Sequence, residues 1–263
     1  MPAINLSRLK LQTAEAAEAF DHPDTLESKL TDLFEFYADR TTRPRQSGKP
    51  RPVMPAYKVP KAVLDRILFE LREHIEADPA TALQIADRFW IHRYLEFRLL
   101  AAGILSTVPV DEQEEIVKRL INWGETCKEE VLMQLLAGFS ERLHHEAKKE
   151  HLALLEYWLS SKEQNNQELG MRALHALLEK TDYPELPTIY RLLAPYIQET
   201  SAELRPHILD ILRLLAKISP SETAHFLRKR IEDKKTPTGI WLIRRSRAVF
   251  PEELRTGLKL LTE

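Results

Sequence analysis

A single cysteine, Cys127, stands in this chain of 263 residues, so an internal disulfide framework is excluded and a reducing compartment is expected. Glycine is scarce at 7 residues, which leaves few places for the positive-φ turns that hairpins require. No window approaches the ~20 consecutive apolar residues of a membrane span. The first residues, MPAINLSRLKLQTAEAAEAF, carry charges inside their apolar pattern, so no signal peptide is expected. There is no Gly-rich phosphate loop, no Gly-x-Ser-x-Gly elbow and no zinc motif, so neither a cofactor nor a metal is expected. A soluble, cytoplasmic protein is the expectation these absences leave.

What is present is helix-forming sequence. Leu, Ala, Glu, Lys and Arg dominate, hydrophobic residues make up 43% and charged residues 30%, enough for a core and for solvated outer faces. After residue 60 apolar residues recur at helical spacing almost everywhere; in KAVLDRILFELREHIEA, Val63, Ile67, Leu68, Leu71 and Ile75 share one stripe. Breaks fall at Asp78-Pro79, Pro109, Asn165-Asn166, Tyr183-Pro184, Pro187, Ser219-Pro220, Pro237 and Pro251. Several of these are helix starts, because proline suits the first turn; Ser219 or Ser221 is the expected cap of the helix that follows them.

Short helices therefore come in pairs with a period of roughly 35 to 45 residues, the rhythm of helical-repeat arrays. The reading is an all-α chain, an α-solenoid of HEAT-like antiparallel helix pairs enclosing a concave groove. Four-helix-bundle arrangements would need longer and more equal helices. The expected division is an N-terminal helical segment with a basic, proline-rich loop over 1–59, followed by one continuous repeat domain over 60–263.

Charge is distributed unevenly in a chain of net charge −2. The stretch RTTRPRQSGKPRPVMPAYKVPK at 40–61 gathers seven cations and five prolines, with no acid between Asp39 and Asp65. A second basic stretch, 225–247, holds eight lysines and arginines against Glu232 and Asp233. Such clusters fit either a solvated face or an anionic partner.

Two stretches, AYKVPKAVLDRI and FWIHRYLEFRLLAAGIL, resemble the AlkD-like DNA alkylation repair proteins, helical-repeat glycosylases that remove positively charged alkylated bases. The likeness runs through the loop tyrosine and Val59-Pro60, then Trp90, Glu96-Phe97 and Ala101, and on to LAKISPSETAHFLRK. The resemblance implies duplex DNA as partner. It implies a catalytic centre in a Trp-Asp-Thr-x-Asp segment, where INWGETCKEEV matches with Trp123 and Thr126 while the aspartate falls on Cys127 or Lys128. A lysine there would oppose the positive charge that develops on the sugar. Glu125 or Glu129 would reach that place only with a shift of backbone register, so Glu125 and Trp123 are the catalytic candidates and glycosylase activity is expected to be weakened or lost. A phosphate-contacting arginine of the family falls on Arg172, and a later tryptophan falls near Asp210.

The DNA-binding candidates are Arg43, Arg45, Lys49, Arg51, Lys58, Arg172, Arg244, Arg245 and Arg247, since each neutralised phosphate releases counterions and arginine's planar fork suits phosphate. The alternative is a non-enzymatic scaffold for a protein partner. Trp90, Trp158 and Trp241 read as packing residues between repeats. His144, His145 and His151 read as surface rather than metal-binding, and Cys127 as a half-buried structural thiol rather than a nucleophile.

Overall fold

The computed structural model describes residues 5–39, 54–180 and 185–262. Its described residues form α-helices and two short 3-10 turns, with no strand among them, so the all-α, helical-repeat class expected from the periodicity is the class observed. Arg43, Arg45, Lys49 and Arg51 lie outside the described residues. Among the described residues no helix is long and apolar enough to cross a membrane.

The chain divides into two compact units, Met1–Leu135 and Leu136–Glu263, and the division falls within α7 (Glu130–Glu146). The first unit begins with α1 (Leu6–Ala17), α2 (Pro23–Tyr37), α3 (Lys61–Ala77), α4 (Pro79–Trp90) and α5 (Leu95–Thr107). A 3-10 turn at Val110–Glu112 then leads to α6 (Gln113–Thr126). Proline opens α2 and α4 at positions whose backbone N–H would have no helical partner, and the Asp78 carboxylate accepts the Thr81 N–H at 3.1 Å to cap α4. α3 packs on α1, α4 and α5, and α4 packs on α5. Phe34, Phe89 and Phe97 meet edge to face in the core between these elements, Phe97 lying 5.2 Å from Phe34 and 5.1 Å from Phe89. α5 approaches α3 closely at Gly103, where a β-carbon would meet the Leu68 side chain at 2.4 Å. Arg119 on α6 grips both oxygens of Asp87 on α4, at 3.0 and 2.7 Å, a fork that ties α6 to the pair before it.

The second unit contains α8 (Lys148–Ser160), α9 (Gln164–Lys180), α10 (Leu186–Gln198), α11 (Arg205–Ile218), α12 (Pro220–Asp233), α13 (Pro237–Ser246) and α14 (Glu252–Leu260), with a 3-10 turn at Arg247–Val249. α9, α11 and α13 pack in succession, as do α10, α12 and α14, so the unit is two helical layers with the apolar stripes between them. Ser219 occupies the cap position of α12 as expected, but its hydroxyl makes no capping bond. Its carbonyl instead accepts the Thr223 backbone N–H and the Thr223 hydroxyl.

One sequence expectation is corrected here. His151 is not a surface residue: it is wholly buried on α8, because it continues the stripe of Leu154, Leu155 and Trp158. Neither ring nitrogen has a hydrogen-bond partner among the described residues, and burial, with the nearby His144 and His145, holds its pKa down at about 3. The unfolded chain takes up a proton here as pH falls through ~6.5, whereas the folded chain does not until about pH 3. Stability from this residue is therefore present above that window and is lost as pH falls through it, by up to ~1.4 kcal/mol per pH unit. His151→Leu should be less acid-sensitive than the native chain; urea unfolding at pH 7 and pH 5 checks this, and equal losses in both proteins would refute it.

Candidate nucleic-acid interface

The site in the first unit is built around a carboxylate. Glu96 sits in the first turn of α5, where the helix dipole favours an anion, yet it is only 3% exposed. Buried charge requires partners, and the Glu96 oxygens accept backbone N–H groups from Tyr57 at 3.0 Å, Lys58 at 2.6 Å and Val59 at 3.4 Å. Prolines 55 and 60 bracket this run and cannot extend it into a helix or sheet, so no backbone ladder takes these three donors. The bonds also hold Lys58 in the left-handed region at φ 62, which costs a non-glycine residue ~1 kcal/mol. Leu95 N–H donates to the Pro55 carbonyl at 2.9 Å, and Asp39 N–H to the Lys58 carbonyl at 3.4 Å. Glu129, also buried, accepts the Met54 N–H at 2.6 Å. Asp39 and Met54, which flank residues 40–53, are thus both hydrogen-bonded within the first unit.

Aromatic rings surround that clamp. Tyr57 stacks on Tyr94 with ring centroids 4.2 Å apart, and Arg93 lies over the outer ring. These tyrosines line a cleft of about 500 Å³ with Glu35, Asp39 and Lys58. Burial, reinforced by Tyr94 and Glu35, pushes the Tyr57 hydroxyl pKa up, so the ring stays neutral. Trp90 and Trp123 stack face to face at 4.4 Å and 6°, both almost fully buried, with Arg98 over Trp90 at 5.7 Å. Glu125 is exposed on the last turn of α6. Cys127 is buried more deeply than its sequence suggests, at 1% exposure. Its thiol points to the Glu129 carbonyl at 3.8 Å, and burial pushes its pKa up to about 11.

In the second unit the layer formed by α9, α11 and α13 carries Arg172, Arg244 and Arg245 of the candidate phosphate contacts. Arg172 on α9 bonds Glu168 at 2.6 Å, and His207 on α11 stands 3.6 Å from the same carboxylate. Trp241 on α13 is flanked by Arg205 at 5.5 Å and Arg245 at 5.9 Å, two guanidiniums on one indole. Arg244 donates to the Thr262 carbonyl at 2.6 Å, while Arg247 is half-buried in the 3-10 turn. Asp210, where the resemblance places a tryptophan, pairs with Arg213 at 2.9 Å. Among the described residues no group of three or more His, Cys, Asp or Glu side chains is placed to hold a metal ion. Sequence reasoning passed over Arg98 and Arg205. It quoted Glu96 only as a motif residue, although a carboxylate opening an otherwise apolar helix is itself a signal of a buried partner.

Glu96→Ala removes the acceptor for three loop N–H groups and should lower stability by several kcal/mol, roughly 3, with Glu96→Gln recovering part of the loss. Urea unfolding of the intact chain, together with proteolysis rates between residues 54 and 60, measures this. An unchanged midpoint and an unchanged cleavage rate would remove the clamp from the description.

No curated relative and no solved structure matches the chain. The family model described as DNA alkylation repair enzyme matches residues 32–241, from within α2 into α13. That span includes Lys58, Trp90, Glu96, Trp123, Cys127 and Arg172 and stops before Arg244, Arg245 and Arg247. With most of its length inside the match, the chain belongs to the DNA alkylation repair enzyme family.

Proposed function

We propose that this member of the family binds duplex DNA through the phosphate backbone and that base excision is weak or lost in it. The observation that carries the second half is Cys127. The resemblance puts the carboxylate of the family's centre at this place or at Lys128, and the thiol found there is buried, with its pKa pushed up to about 11. Breaking an N-glycosidic bond builds positive charge on the sugar, and a neutral thiol beside a guanidinium offers that charge no stabilisation. Glu129 is already engaged by the Met54 N–H, and Glu125 stands in solvent.

Support for binding comes from exposed cations that make no ion pair among the described residues. Lys58 is exposed on a clamped loop, and Arg245 is exposed beside Trp241. Arg172 is a weaker contact than its motif suggests, since its side chain is only 15% exposed and bonded to Glu168. Phosphate contacts of this kind fix position and add affinity without reading sequence.

Labelled duplex DNA should shift in a native gel at low salt, with the logarithm of affinity falling linearly with the logarithm of salt. Lys58→Ala and Arg245→Ala should each weaken binding on all sequences alike and reduce the salt slope by about 1. Absence of a shift at micromolar protein would defeat the binding reading. Release of methylated purines from the same DNA should stay at the uncatalysed rate and be indifferent to Glu125→Gln; release that this substitution abolishes would assign Glu125 a catalytic role and overturn the loss of activity.

A further inference from the structure

A second concave site lies in the second unit, between α10 and α12 of the layer opposite Arg172 and Trp241, and nothing in the DNA reading uses it. The cleft encloses about 690 Å³. Its floor is aromatic: Tyr190 and Phe226 stack with centroids 4.9 Å apart. The Tyr190 hydroxyl is already hydrogen-bonded to the buried Thr223 hydroxyl at 2.9 Å, so what the ring offers the cleft is apolar surface. Ala194 and Pro187 extend that surface along α10.

The rim has the opposite character. Arg191 from α10 and Lys229 and Arg230 from α12 stand around the floor, with His225 beside them and Glu222 as the single carboxylate among the lining residues. Arg191 and Arg230 have partners, Glu156 and Asp233, but no carboxylate among the described residues pairs with Lys229. A cationic rim in a chain of net charge −2 is a selective feature, because it selects for an anionic occupant.

The shape decides what kind of anion. Glu222, Phe226 and Arg230 recur every fourth residue, so the α12 wall runs two turns, ~12 Å at 1.5 Å rise per residue. Pro187, Tyr190 and Ala194 form the facing wall at the corresponding spacing on α10. A phosphate backbone would leave the aromatic floor unused, whereas a peptide segment with an apolar anchor and flanking acids satisfies both floor and rim. We propose that the α10–α12 cleft docks an acidic peptide segment of a partner protein, its apolar anchor on Tyr190 and Phe226 and its carboxylates at Arg191 and Lys229.

The test uses the full chain and a fluorescein-labelled amphipathic peptide of glutamate, leucine and phenylalanine, followed by anisotropy at low salt. Saturable binding in the micromolar range is expected, with none by the same peptide carrying lysine for glutamate. Ala194→Trp, which fills the floor, and Lys229→Glu, an exposed change that leaves the core untouched, should each weaken binding at least about tenfold, ~1.4 kcal/mol. Neither should alter the gel shift with duplex DNA. No saturable binding by the native chain, or binding indifferent to both substitutions, overturns the proposal. So does a Lys229→Glu variant that loses DNA instead of peptide, which would make the cleft part of the nucleic-acid surface.

Discussion

One buried carboxylate organises the first unit. Without Glu96, the segment from Tyr57 to Val59 would carry three backbone donors into a part of the molecule where neither helix nor sheet can receive them, and an unmet buried donor costs ~1–3 kcal/mol. With it, a proline-bounded loop becomes a fixed edge. The stack of Tyr57 on Tyr94, the left-handed turn at Lys58 and the approach of Asp39 all follow from that fixation. Glu129 repeats the device at Met54. Two acids that a charge count would assign to a solvated surface thus hold the backbone of residues 54 and 57–59, which is why the acidity of the whole chain is a poor guide to the electrostatics of this corner.

The same point governs the arginines. Arg88 is paired with Asp24 and Glu27, and Arg119 with Asp87 and Glu115. Each joins helices that adjacent pairing alone would leave loosely tied. A guanidinium with two carboxylates of its own gains little from a passing phosphate. The cations left for a polyanion are those like Lys58 and Arg245, exposed and without a strong internal partner among the described residues, and their number is far smaller than the formal total.

Helix positions were legible because the apolar stripe and the prolines report the same boundaries; Pro79, Pro220 and Pro237 each open a helix where the pattern broke. Trp90 and Trp158 are buried as the packing reading expects, whereas Trp241, given the same reading, is only half-buried. His151 was misread because a polar residue on a stripe is ordinarily placed outside, and only its neighbours on adjacent turns show that it cannot be. The stack of Trp90 on Trp123 was beyond the sequence: it joins α4 to α6 across a helix that intervenes, and helical spacing says nothing of which rings meet between non-adjacent elements. The α10–α12 cleft was hidden for the same reason, each wall reading on its own as an ordinary amphipathic helix.

The proposed loss of base excision turns on Cys127. A carboxylate at that depth would need compensation, and Arg98 stands close enough to influence the thiol's ionisation. The residue at this place is a buried thiol, which as a small neutral group incurs no charge-desolvation cost. The framework that the chain shares with its family holds cations and apolar clefts at fixed places on the helix surfaces, and both proposed binding activities rest on those features rather than on the residue at Cys127.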